Sequence, residues 1–162
     1  MTESNLISSD QIEGYPHPKM TEKLFGHQFA EQEFINCFKS KKLHHGWLIT
    51  GAKGIGKATF AWKMAKFLLT QPMPSVEPNG LFGDSDENQN SDLGENLKKA
   101  MIARILAESE PRLVVVRKSF DEKRKTFRPS IRVNEVRHLK TFFSFSVSDG
   151  GGRVAIIDCA ED

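Results

Sequence analysis

WLITGAKGIGKATF, residues 47–60, is the stretch on which the fold turns. A short apolar run, Trp47-Leu48-Ile49, is bounded by Gly46 and Gly51, and Gly54 and Gly56 then lead to Lys57. The spacing fits G-x-x-x-x-G-K-[ST], the phosphate-binding loop that joins a buried strand to a helix. Glycines let backbone N–H groups turn toward phosphate oxygens, and the helix that follows presents its positive end. The lysine then reaches the outer phosphates as a point charge. The candidate nucleotide- or phosphate-binding residues are therefore Gly51, Ala52, Lys53, Gly54, Ile55, Gly56, Lys57, Ala58 and Thr59. The plainer alternative is a vestigial glycine-rich turn that binds nothing. Ala58 stands where a serine or threonine hydroxyl would ligate magnesium. Thr59 is no simple substitute, because one further residue along a helix turns the side chain by roughly 100°.

Working outward, the positions Ala30, Phe34, Cys37 and Phe38 predict a helix over 27–40, followed by the basic link KSKKLHH. Residues 1–20 contain Tyr15-Pro16-His17-Pro18 without apolar periodicity and read as an extended arm, leaving 21–162 as the domain proper. Beyond the loop, Ala61, Met64, Ala65 and Leu68 predict one face of a second helix. Residues 71–93 are rich in Pro, Gly, Asn, Asp and Ser and predict a disordered, dispensable insertion.

A third helix is expected with Leu97, Met101 and Ile105 in register, then a buried strand at Leu113–Val116. DEKRKT, between Phe120 and Phe127, reads as a solvated hairpin or loop. Asn134 is the expected cap of a fourth helix carrying Val136, Leu139 and Phe143. After Gly150-Gly151-Gly152, Val154–Asp158 predicts a third buried strand that ends in a carboxylate. Strands alternating with helices give the α/β class, a parallel sheet flanked by helices.

The sequence VAIIDCAED places Asp158 as the acidic, magnesium-side residue of a nucleotide site. Cys159 occupies the next position, where a hydrolysing enzyme would carry a glutamate to polarise water. Glu161 lies three residues past Asp158, beyond the expected strand. Lacking both the hydroxyl at 58 and that glutamate, the chain is expected not to hydrolyse ATP.

Net charge is +2, with 23 basic and 21 acidic residues, so no overall basic excess drives binding to nucleic acid. No run of about 18 apolar residues is present to span a membrane, and the polar start lacks the features of a secretion signal. Cys37 and Cys159 have no metal-ligand spacing and read as reduced core thiols of a cytoplasmic protein.

Taken together, the blocks LFGHQFAEQEFINCF, LHHGWLITGAKGIGKATFA, IRVNEVRHLKTFF and GGGRVAIIDCAED resemble the delta-prime subunits of bacterial DNA polymerase III clamp loaders. These are AAA+ relatives of the gamma/tau motor subunits. The resemblance covers about residues 16–70 and 111–162 and implies a P-loop NTPase fold of the AAA+ type, here incomplete at its C-terminal side. Lid and collar domains, together with an arginine acting on a neighbouring subunit's ATP, are expected beyond Asp162.

The implied role is an inert member of a hetero-pentamer with gamma/tau and delta-type subunits, which places a sliding clamp on primed DNA. No catalytic activity of its own is implied, with ATP or ADP bound weakly or not at all. Many relatives carry a four-cysteine zinc module, for which this chain has no matching residues, so neither zinc nor another metal is expected. Two alternatives remain: a working P-loop ATPase or small-molecule kinase, and a non-functional fragment. In AAA+ domains a strand from later in the chain separates the loop-bearing strand from the acidic-motif strand. The segments 47–50 and 153–158 are therefore expected not to pair directly, leaving the isolated domain partly unfolded.

Overall fold

The computed structural model describes residues 8–71, 92–145 and 151–160. Its organising element is α2, Lys57–Thr70, whose sequence KATFAWKMAKFLLT is apolar around most of its circumference. A helix of that kind is buried from more than one side, and α2 carries two stripes. Trp62, Ala65 and Leu69 pack with Ile105 of α3, Leu113 of β1 and Ile156 of β4. Phe60 and Met64 pack instead with Phe34 of α1, with Leu24, Trp47 and Ile49 around them. Of the single face expected from the sequence, Met64 and Ala65 are buried while Ala61 and Leu68 are half-buried.

Helix α1 spans Gln28–Lys39 and buries Phe34 and Phe38, as its spacing predicted. Helix α3 spans Asp92–Leu106. Its core contact is confined to the C-terminal turns, with Ile105 0% exposed, whereas Leu97, expected in register, is 64% exposed. In the polar stretch 71–93, Gln71 closes α2 and 92–93 open α3; 72–91 lie outside the described residues.

β1, Leu113–Val116, and β4, Val154–Ile157, form a parallel pair with Leu113 opposite Val154 and Val116 opposite Ile157. The ladder extends one bond beyond each end, from Val154 N–H to Arg112 O at 2.8 Å and from Asp158 N–H to Val116 O at 2.9 Å. The architecture is thus mixed α/β, a small parallel sheet with helices packed on it. β2, Phe120–Asp121, and β3, Thr126–Phe127, make the expected hairpin. Its Phe120 and Phe127 rings meet edge to face at 5.3 Å. The Asp121 carboxylate accepts from the N–H groups of Lys123 and Arg124 and thereby fixes the turn.

The expected buried strand at Trp47–Ile49 does not form. No strand lies beside it among the described residues, and β4 pairs with β1. Trp47 and Ile49 still pack on the α1–α2 cluster, but Leu48, facing the other way, is 83% exposed. The segment therefore does not pair directly with β4.

Helix α4, Val133–Ser144, begins one residue before the expected cap. Asn134 lies inside the first turn, and the end is satisfied instead by Glu135, whose Oε2 accepts from Arg132 N–H at 2.6 Å. None of the α4 side chains is buried, Val136 and Phe143 included. Cys37 and Cys159 are half-buried rather than in the core.

Residues 8–20 are docked through charge. The Asp10 carboxylate meets His17 Nε2 at 3.1 Å and Arg117 Nη1 at 3.2 Å, and the Ser8 hydroxyl donates to it. His17 Nδ1 accepts from Lys19 N–H at 3.1 Å, so Nε2 carries the proton shared with Asp10. The His17 ring rests edge-on against Trp62 at 5.9 Å. Burial raises the Asp10 pKa, but the Ser8 bond and the charges of Arg117 and His17 outweigh it and hold the carboxyl below its usual value. Burial pushes His17 down, against the pull of Asp10.

Candidate functional site

The glycine loop runs from the unpaired segment at 47–50 to the first turn of α2. Gly51, Gly54 and Gly56 have φ of 145°, 82° and 102°. L side chains rarely adopt these angles, which is why the loop needs glycine at all three positions. Gly56 is also the N-cap of α2, and its carbonyl accepts the first helical bond from Phe60 N–H at 2.9 Å. No side chain caps this helix end. Gly51, Ala52, Lys53, Gly54 and Ile55 are exposed, whereas Gly56, Lys57, Ala58 and Thr59 are half-buried at the start of α2.

Lys57 turns back on its own loop. Its Nζ donates to Gly51 O at 2.9 Å and to Ala52 O at 3.1 Å. All described peptides are trans, so a carbonyl drawn to one side sends the N–H of the same peptide to the other. The N–H groups of Ala52 and Lys53 therefore point away from the ammonium. A phosphate cradle requires the opposite, with amides and lysine converging on one anion. To take a phosphate, Lys57 has to leave both carbonyls and the two peptides have to rotate.

The far end of the loop is held from outside. His27 Nε2 lies 2.8 Å from Ile55 O, and its ring stacks on Phe60 with centroids 6.1 Å apart and planes 6° from parallel. A Cβ on Gly56 would meet Leu24 Cδ1 at 2.8 Å and His27 Nε2 at 3.5 Å. Neither residue stood out in the sequence, where His27 marked only the start of a helix. A histidine at a helix start carries no local signal for a contact 28 residues away.

Asp158 sits just past β4, half-buried. Its N–H continues the ladder to Val116 O, and Cys159 Sγ lies 3.3 Å from its Oδ2. Cys159 itself is left-handed, φ 54°, so the chain turns away directly after the carboxylate. Glu161 lies outside the described residues. A magnesium–triphosphate group would find Lys57 engaged elsewhere and a methyl at 58 in place of a ligating hydroxyl. In this arrangement the residues present do not fit that group.

Residues 26–162 match the family model described as DNA polymerase III, delta subunit. Over 51 residues the chain is 37% identical to DNA polymerase III subunit gamma of Buchnera aphidicola subsp. Schizaphis graminum (strain Sg), which takes in 32% of this chain. The match spans only 14% of that relative's length. No solved structure gives a significant match.

Proposed function

The chain belongs to the DNA polymerase III delta-subunit family, and on that premise we propose that it is a clamp-loader subunit of the delta-prime type. It works in DNA replication as an inert member of a hetero-pentamer with gamma/tau and delta-type subunits, in the cytoplasm. The assembly places a sliding clamp on primed DNA. Residues 21–162 are part of an AAA+ domain, and Gly51–Thr59 with Asp158 are its P-loop and acidic motif in vestigial form. Nucleotide binds weakly or not at all.

The observation that carries the inert reading is Lys57, bonded to the Gly51 and Ala52 carbonyls beside a residue 58 that has no hydroxyl. Magnesium-dependent ATP turnover tests it: none is expected beyond background, and a rate that vanishes in Lys57→Ala would overturn it. Mixing the chain with gamma/tau and delta-type subunits tests the role, with co-elution expected. A chain that stays apart from both would sink the clamp-loader assignment. The local identity with a gamma subunit favours one second reading, a working ATPase, and the same turnover assay separates the two.

A further inference from the structure

We infer that the segment Leu24–His27 backs the glycine loop and that His27 is its positioning residue, holding the C-terminal half of the loop in a fixed orientation. The inference rests on reading Gly51–Thr59 as a nucleotide loop, although the contact itself exists whatever the loop binds. His27 donates from Nε2 to Ile55 O at 2.8 Å, and its ring is held parallel to that of Phe60, on the first turn of α2. The Ile55 carbonyl and the Gly56 N–H belong to one trans peptide, so fixing the carbonyl toward His27 directs the Gly56 N–H to the opposite side. Leu24 closes the same side, with its Cδ1 at 2.8 Å from where a Gly56 side chain would begin. A side chain at 56 would have to displace the tip of Leu24 and would be strained by the φ of 102° besides.

The two halves of the loop are thus governed by different groups. Lys57 holds the carbonyls of Gly51 and Ala52, a contact that an anion can compete for. His27 bonds to the Ile55 carbonyl and Leu24 lies beside Gly56, on the side opposite the Gly56 N–H. Drawing Lys57 away would free the first half to rotate while the second keeps its shape. The backing segment also ties the chain before α1 to the start of α2, which gives the loop a structural task without hydrolysis.

Amide hydrogen exchange on the intact chain, with no ligand added, tests this. His27→Phe keeps a ring on Phe60 but loses the donor, and His27→Gln keeps a donor but loses the ring. His27→Phe is expected to speed exchange at Ile55 and Phe60, whose N–H groups donate to Ala52 O and Gly56 O, by about fivefold, the loss of one neutral hydrogen bond. His27→Gln should stay within about twofold of the parent, and Met64, Ala65 and Ile156 should be unchanged in both. Equal loosening in the two variants would overturn the inference, as would no change in His27→Phe or faster exchange throughout the core. Because no nucleotide is present, the result stands apart from whether the loop binds one.

Discussion

β1 has β4 alongside it for its whole length, whereas Trp47–Ile49 reaches the glycine loop with no ladder partner among the described residues. Both are short apolar runs bounded by chain-breaking or polar residues. In β1 the end residues Leu113 and Val116 are buried, and every backbone bond across to β4 is of the ordinary sheet kind. In the other run, two side chains find the α1–α2 cluster and the one between them faces water. Apolar content states how much a segment gains from burial. Strand formation needs, in addition, a second backbone at the right distance, about 4.8 Å away.

The contrast is open to direct attack, first by exchange. The amides of Val154 and Asp158, which donate across the sheet, are expected to exchange about a hundredfold more slowly than those of Leu48 and Ile49. Equal protection would mean that the loop-side segment is paired after all. Among substitutions the largest effect is expected from Ile105→Ala, which empties a fully buried site between α2 and the sheet and should cost about 3–4 kcal/mol in urea unfolding. A loss below about 1 kcal/mol would show that this core is loosely packed.

The charged anchor comes third. Arg117 directly follows β1 and holds Asp10, so Asp10→Asn should cost about 1–3 kcal/mol by leaving buried partners unmatched. Acid should act in the same direction in two stages. His17 has a folded pKa below its unfolded value, so the unfolded chain takes up the proton first and stability falls as pH drops below about 6.5. Asp10 is also lowered, as is Glu110, the buried carboxylate before β1, where burial is outweighed by the bonds from Arg112 and Arg104; their contribution is present above the ordinary carboxylate pKa and is lost as pH falls further through the folded values. Asp10 pulls the His17 pKa up, so Asp10→Asn is expected to strengthen the dependence below about pH 6.5, and an unchanged dependence would show that His17 titrates independently of its partner. The smallest effect is expected at Leu48→Thr, within about 0.5 kcal/mol, since its side chain is already in water.

Periodicity located the four α-helices and the strands β1 and β4, because each is defined by residues within one turn or one strand length; that β1 and β4 pair with each other was not legible. α1 announced itself through Phe34 and Phe38, and the hairpin through Phe120 and Phe127 around a charged turn. Legibility failed where the outcome depends on a distant neighbour. Leu97 is in helical register with Ile105, yet it is exposed, and the apolar positions of α4 likewise remain outside the core. Asn134 has the right chemistry for a cap, but the helix starts one residue earlier and Glu135 bonds back to the Arg132 N–H at its N-cap. In the loop, the glycine positions and Lys57 were legible as a motif. The direction in which Lys57 turns, and the support from His27 and Leu24, depend on groups that only the folded chain brings together.

The left-handed Cys159 bears on how this chain could change over generations. A glutamate at that position would be a change of one letter, but it would inherit a backbone that leaves the sheet right after Asp158. Its carboxylate would then not project as it would from a strand that continued. Hydroxyl gain at Ala58 likewise leaves Lys57 bound to the carbonyls of its own loop. Either substitution taken alone meets a geometry that does not use it, so a hydrolysing site here would need changes in the backbone as well as in the two side chains. The backbone thus limits what these two positions can do as much as their side chains do.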